Sequence, residues 1–234
     1  MTGQSAVIFG ASGGIGSAIA DALDADRRFD NIIRFSRSGN SPVTVDLTSE
    51  ISITKAADWM KARGITPSTV FVATGLLHDG AKGPEKSLRQ LDPDWLIKNY
   101  QVNTIGPALV AKYFLPLMER KGTSKFAALS ARVGSISDNR LGGWYGYRAS
   151  KAALNMMIRN LAIEWSRKND RAVIVALHPG TVDTALSEPF QGNVPAGKLF
   201  DSGYAARHLL DVLDRLEPVD SGKIFAWDGT EIKP

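Results

Sequence analysis

What most constrains this chain is the alternation of short, unbroken apolar runs with longer stretches of helical period. Ala6-Val7-Ile8-Phe9, Val70-Phe71-Val72, Phe126-Ala127-Ala128-Leu129 and the run 172–177 carry no polar residue at every second position. Strands written that way have both faces covered, the condition of a parallel sheet between two layers of helix. Candidate strands fall near 5–9, 32–35, 43–45, 69–73, 125–129, 172–177 and 222–226. Helical patterns near 14–25, 49–63, 92–120, 144–168 and 202–216 separate most of them. Asp92-Pro93 is an N-cap followed by proline at the first helical position, and the helix it opens is expected to bend near Gly106-Pro107 or Pro116. The expectation is a doubly wound α/β fold, a seven-stranded parallel sheet with helices on both faces. The seven residues 36–42 are too few for a helical crossover between the second and third strands. Extended chain of that length reaches ~23 Å, so an extended crossover is expected there. No repeat or low-complexity linker interrupts the pattern, and residues 1–234 read as a single domain.

Charge and cysteine content narrow the function classes. Lysine and arginine number 28 against 24 acidic residues, a net charge of +4. The basic pairs Arg27-Arg28, Arg120-Lys121 and Arg167-Lys168 stand at expected helix ends, where cations oppose the negative dipole end. They form no stripe interleaved with aromatics, so no nucleic-acid partner is expected. The absence of cysteine excludes disulfides and thiolate metal sites, and no metal is expected. Met1-Thr2-Gly3-Gln4 has no basic leader region, and the run 172–177 is far short of the ~20 residues of a membrane helix. The expectation is a soluble, cytoplasmic protein with no membrane partner.

Gly10-Ala11-Ser12-Gly13-Gly14-Ile15-Gly16 follows the first strand and opens the first helix. Glycines there let backbone approach a pyrophosphate, and the helix N-terminus offers free N–H groups and positive potential. A tight strand–helix turn uses the same residues, and only the position after the first strand favours the dinucleotide site. Further on, Tyr147-Arg148-Ala149-Ser150-Lys151 sets a phenol and an ammonium on one helix face. A nearby ammonium favours the phenolate and is expected to lower the tyrosine pKa from ~10 toward neutrality. Such a tyrosine gives a proton to a carbonyl oxygen or takes one from an alcohol.

The glycine motif, Asn103, a serine-bearing strand end, Tyr147-x-x-x-Lys151 and Pro179-Gly180 occur in one order. In this the chain resembles the short-chain dehydrogenase/reductase family over essentially its whole length. Residues 130–155, with Gly142-Gly143-Trp144-Tyr145-Gly146-Tyr147, and the ending 222–229 resemble the subgroup of C-factor-like proteins and sniffer-type carbonyl reductases. The resemblance implies a Rossmann fold and nicotinamide-dependent carbonyl or alcohol chemistry. It makes Tyr147 the general acid/base and gives Lys151 the tuning of that tyrosine and the ribose hydroxyls. It gives Asn103 the positioning of a relay water, although an amide in a helix kink near Gly106-Pro107 explains the same residue. Gly10, Ser12, Gly14, Ile15, Gly16, Ala73, Thr74, Gly75, Pro179, Gly180, Val182 and Thr184 become cofactor contacts, and Asp46-Leu47 the pair flanking the adenine. Homodimers or homotetramers through the helices bearing Asn103 and Tyr147 are implied too.

One departure stands out. The family serine lies three residues before a glycine, and in Ser130-Ala131-Arg132-Val133-Gly134-Ser135 that position is Ala131. Ser130 is the first candidate to replace it, Ser135 the second, and the third possibility is that no serine does. The cofactor is expected to be NADP rather than NAD. The segment after the second strand, Phe35-Ser36-Arg37-Ser38, has no carboxylate for a ribose 2′-hydroxyl, and Arg37 suits a 2′-phosphate. The function so read is an NADP-dependent oxidoreductase acting on a small carbonyl or alcohol. The alternative is a sensor or signalling protein that binds NADP without significant turnover. The substrate space is expected between the loops 76–88, 132–144 and 182–199, with Trp144, Tyr145, Leu186, Phe190 and Leu199 as an apolar wall.

Overall fold

The computed structural model describes residues 4–80 and 82–234. The 1–3 stretch read for a leader lies outside the described residues. Six strands, β1 (Gln4–Phe9), β2 (Phe29–Phe35), β3 (Thr69–Val72), β4 (Ser124–Leu129), β5 (Ala172–His178) and, last in the chain, β8 (Ile224–Ala226), form one parallel sheet in the order β2-β1-β3-β4-β5-β8. A separate pair, β6 (Thr181–Val182) and β7 (Leu199–Phe200), stands beyond the end of β5. The helices are α1 (Gly14–Ala25), α2 (Glu50–Ala62), α3 (Pro93–Tyr100), α4 (Gly106–Phe114), α5 (Tyr145–Trp165) and α6 (Ser202–Arg215).

The sheet has six strands, not seven. The segment expected as a strand at 43–45 makes only a single parallel bridge, Ser36 to Thr44. Its ladder is consumed by a side chain: the Ser41 hydroxyl accepts the Ser36 N–H at 3.2 Å and donates to the Val43 carbonyl at 2.5 Å. Pro42 has no N–H to offer. The segment leaving β2 has no helix, but it is not the extended crossover expected: it bends at 37–40 and 42–43, with Gly39 at φ +79°, because the Ser41 hydroxyl draws Ser36 and Val43 together.

Each strand divides its side chains between two cores. Val7, Phe9, Phe35, Met60, Phe114, Phe126 and Ile158 pack on the side of α2, α4 and α5; Ile8, Ile19, Phe71, Val175 and Leu209 pack on the side of α1 and α6. Phe9 meets Phe114 edge-on at 4.8 Å, which fixes α4 against the first strand. Capping follows the sequence: Asp92 accepts the Trp95 N–H at 2.8 Å and Asp201 that of Tyr204 at 2.7 Å.

The long helix expected from residue 92 is broken into α3, a π-helical turn at Gln101–Ile105, α4 and a 3-10 turn at Leu115–Leu117. Pro107 has no N–H to give the carbonyl four residues back, that of Asn103, and the helix widens over that turn. The chain leaves β1 outward to β2, then returns to the other side of β1 as β3. The crevice at this reversal, beyond Phe9 and Val72, is where open α/β sheets place ligands.

Candidate dinucleotide and substrate site

A cavity of about 800 Å³ opens over the ends of β1, β2 and β3, lined by Gly10, Ser12 and Gly13, by Arg37, by Asp46, Leu47 and Thr48, and by Ala73, Thr74 and Gly75. Gly10 has φ +81°, and its N–H and that of Ala11 donate to the Phe35 carbonyl at 2.9 and 3.1 Å, so the loop is fastened to β2. A Cβ on Gly16 would lie 2.2 Å from the Gly10 carbonyl oxygen, so only glycine lets α1 start this close to the turn. No side chain caps α1, whose N-terminal N–H groups face the loop. Thr74 Oγ1 is buried without a partner. An uncapped helix start, a turn stripped of side chains and an unsatisfied hydroxyl together fit a pyrophosphate-bearing dinucleotide.

At the β2 end of the cavity the Arg37 side chain is exposed. The Asp46 carboxylate accepts the Thr48 N–H at 2.9 Å and its hydroxyl at 2.8 Å. Those bonds, the backbone one foremost, outweigh burial and, with a smaller contribution from Arg37, hold Asp46 below the usual carboxylate range. Thr48, directly after the expected Asp46-Leu47 pair, was not singled out from sequence.

A second cavity of about 360 Å³ adjoins the first where Leu76 and Leu77 pass between them. Its lining includes Ile15, Ser130, Ala131, Tyr147, His178, Pro179, Gly180, Val182 and Thr184. Each of the three expected loops contributes, through Leu77, through Arg132, Val133 and Trp144, and through Leu186 and Phe190. The apolar wall is smaller than expected: Tyr145 and Leu199 do not line it and are 38% and 39% exposed. Tyr145 begins α5 with its side chain outward, and Leu199 is committed to the β6–β7 pair. His178 is a polar residue ending an otherwise apolar strand, a signal present in the sequence and not used. Its Nδ1 is buried without a partner, and burial pulls its pKa down to about 4.

Tyr147 and Lys151 stand one turn apart on α5, both buried. Lys151 Nζ lies 5.8 Å from the centre of the Tyr147 ring and donates to the Leu129 carbonyl at 2.8 Å. A Cβ on Gly75 would be 3.8 Å from both Lys151 Nζ and Asn103 Oδ1, so the lysine borders the nucleotide cavity. The expected lowering of the tyrosine pKa does not occur in this arrangement. Burial pushes Tyr147 up to about 12 and Lys151 down to about 7, because desolvation acts on both charged forms.

The Asn103 side chain ties two elements together. Its amide oxygen accepts the Leu76 N–H at 2.8 Å, and its NH₂ donates to the Leu76 carbonyl at 2.9 Å and Ser150 Oγ at 3.1 Å. The loop after β3 is thereby bound to α5, one helix turn from Tyr147. Of the two candidate serines, Ser130 lines the substrate cavity and donates its proton to Asn155 Oδ1 at 2.7 Å. Ser135 points elsewhere, donating to the Lys233 carbonyl at 2.5 Å and accepting the Asp138 N–H at 3.1 Å.

A cleft at a strand reversal thus adjoins a mostly apolar cavity that holds a buried Tyr–Lys pair. A family model described as enoyl-(acyl carrier protein) reductase matches residues 10–214. The chain belongs to the short-chain dehydrogenase/reductase family and is an oxidoreductase of that NAD(P)-dependent kind. It is 33% identical over 186 residues to 1-hydroxy-2-glutathionyl-2-methyl-3-butene dehydrogenase of Rhodococcus sp. (strain AD45), covering 80% of this chain and 76% of that one. It is 33% identical to C-signal of Myxococcus xanthus over 65% of this chain and 87% of that one. In fold it is similar to the NADPH-bound carbonyl reductase from chicken fatty liver, with TM-score 0.86, 23% identity and coverage of 99% and 94%. It is also similar to the carbonyl reductase Sniffer of D. melanogaster, with TM-score 0.85, 21% identity and coverage of 99% and 100%. No helix among the described residues is long and apolar enough to cross a membrane.

Proposed function

We propose that the protein is an NADP-dependent carbonyl reductase or alcohol dehydrogenase of small molecules, with Tyr147 as its general acid/base. The observation that carries this reading is the buried Tyr147 hydroxyl-bearing ring in an apolar cavity, with Lys151 beneath it bordering the nucleotide cleft at Gly75. A nicotinamide, when bound, supplies or accepts the hydride. The chain's own residues do the rest. The Gly10–Gly16 loop and the α1 N-terminus bind the pyrophosphate, and Arg37 takes the 2′-phosphate. Asp46 and Leu47 flank the adenine, and Thr74 offers its unpaired hydroxyl. Pro179, Gly180, Val182 and Thr184 hold the carboxamide end. Lys151 binds ribose hydroxyls and, once charged, draws the Tyr147 pKa down from its high resting value. Holding its proton, the Tyr147 phenol can donate to a carbonyl oxygen, and as phenolate it can take the proton of an alcohol. Asn103 acts by fixing Leu76 and α5 through its side-chain amide. Ser130 takes the place of the family serine as the hydroxyl beside the substrate oxygen.

The partner expected beyond substrate is a second copy. Ile105, Met156 and Ile163, 45%, 62% and 45% exposed, lie on the π-turn and α5, the helical segments through which the family pairs. A second functional reading, a nucleotide-binding sensor without turnover, is supported by the likeness to C-signal and by Ala131 in the serine position. NADPH oxidation measured across aldehydes, ketones and quinones separates the two. On whichever substrate turns over, Tyr147→Phe should abolish reduction while NADPH affinity stays within about twofold, since the ring is kept and the proton lost. Comparable turnover in the mutant refutes the tyrosine assignment, and no turnover of any substrate by the wild type favours the sensor.

A further inference from the structure

The loop between β3 and α3 holds a carboxylate that the reaction scheme above does not use. Glu85 is 2% exposed. Its Oε2 accepts the Gly146 N–H at 3.0 Å, and its backbone carbonyl accepts the Trp144 N–H at 2.5 Å. Both donors belong to the start of α5, immediately before Tyr147. Trp144, the N-cap residue, has no capping side chain of its own, and at φ 51° it is the one non-glycine among the described residues in the left-handed region. That conformation is costly for a side chain with a Cβ and persists only where neighbours enforce it. Gly142 and Gly143, both at φ +63°, lead into it and provide no enforcement of their own.

The strained residue sits where the reaction needs a wall. The Trp144 ring lines the substrate cavity, edge-on to Tyr147 at 6.3 Å and to Phe190 at 5.2 Å. A Cβ on Gly146 would lie 3.0 Å from Glu85 Oε1 and 3.4 Å from Asn99 Nδ2, so the carboxylate fills the space against that residue. Asn99 Oδ1 in turn accepts from Asn103 Nδ2 at 3.3 Å. The loop is thus fastened to α5 at both ends, through Asn103 at Leu76 and through Glu85.

We propose that Glu85 is a positioning residue: its carboxylate and carbonyl clamp the 142–146 turn and so set where the Trp144 and Tyr147 rings stand in the substrate cavity. This rests on the reading of Tyr147 given above. The test compares Glu85→Ala, Glu85→Asp and Glu85→Gln with wild type by steady-state kinetics, by NADPH titration and by amide hydrogen exchange of peptides covering 142–148. Alanine removes the acceptor, and aspartate keeps a carboxyl group but is one methylene short. Both should lower kcat about tenfold or more while NADPH affinity changes less than about twofold. Exchange at 142–148 should quicken about tenfold, with the strands β1 and β4 unchanged. Glutamine still presents an oxygen to Gly146, so it should restore kcat to within about threefold of wild type. If the alanine variant does not fold, the aspartate variant carries the comparison. The proposal is overturned if alanine and aspartate leave kcat and the exchange unaltered, if glutamine loses as much as alanine, or if the loss merely follows NADPH affinity. Tyr147→Phe run in parallel keeps the two readings apart. An active Tyr147→Phe enzyme removes the role of Tyr147, whereas the exchange at 142–148 still reports whether Glu85 clamps the turn.

Discussion

Replacing Gly16 by alanine tests whether the nucleotide cleft depends on the close approach of α1 to the turn before it. The added Cβ would stand 2.2 Å from the Gly10 carbonyl oxygen and 2.8 Å from the Gly10 carbonyl carbon. Both are backbone atoms, so no rotamer change relieves them. Reaching even the ~3.0 Å limit of a tight contact means opening the turn by ~0.8 Å, and overpacking of this kind costs ~1–3 kcal/mol. We expect the upper half of that range, because Gly10 is held on its other side by the bonds from Gly10 and Ala11 to Phe35. For a chain of this size ~2–4 °C of Tm follows each kcal/mol, so Tm should fall by about 4–12 °C. The same opening spreads the pyrophosphate cradle, and NADPH affinity should drop about tenfold or more. Gly13→Ala is the control. Its Cβ would lie 3.4 Å from the Gly10 oxygen, an ordinary contact, and its φ of −84° suits any residue. That variant should be neutral or gain up to ~1 kcal/mol from the stiffer unfolded chain. Thermal unfolding and NADPH titration of both variants are the assays. A Gly16→Ala protein that matches wild type in both, or a Gly13→Ala protein whose Tm falls as much as that of Gly16→Ala, would refute the reasoning.

Two further outcomes are expected. Arg37→Ala should weaken NADPH about 10- to 100-fold, the worth of one charge-assisted bond of ~1.5–3 kcal/mol, and leave NADH nearly unchanged. Equal weakening of the two cofactors on titration would assign Arg37 to the adenine or the fold instead. Ser130→Ala should lower kcat about tenfold or more, whereas Ser135→Ala, whose hydroxyl bonds the Lys233 carbonyl away from the cavity, should change Tm more than kcat. The reverse order in kcat would move the role to Ser135, and two harmless substitutions would leave the reaction without a serine.

The sequence carries the elements whose cause is local. The α1 bounds at 14 and 25 follow from a glycine turn at one end and a fading apolar period at the other, and Asp92-Pro93 announces α3 because cap and proline act within one turn. What it hides depends on partners that are remote or on side chains competing with backbone. The 43–45 segment has strand composition, yet the Ser41 hydroxyl takes the groups a ladder would use. Periodicity alone does not distinguish a π-turn from continuous helix at 101–105. The i, i+4 spacing of Tyr147 and Lys151 reveals their nearness but not their burial, and burial reverses the expected direction of the tyrosine pKa. Glu85 reads as one polar residue in a Gly/Pro loop, since its partner Gly146 is 61 residues away in the chain.

The two margins of the sheet also bear on how copies of the protein meet one another in solution. Along β2, Arg34 is tied down by Asp21 and Asp24, Asp30 and Asn31 are exposed, and the bridge from Ser36 to Thr44 covers the far end. Along β8 the chain's own ending folds back, with the Ile232 N–H donating to the Ile224 carbonyl and the Ala226 N–H to the Thr230 carbonyl, each at 2.8 Å. Charge on one margin and self-coverage on the other deny an incoming strand a flat, unpaired template, the usual starting point for edge-to-edge aggregation. Crowding the protein to high concentration therefore gives neither margin an easy way to extend the sheet.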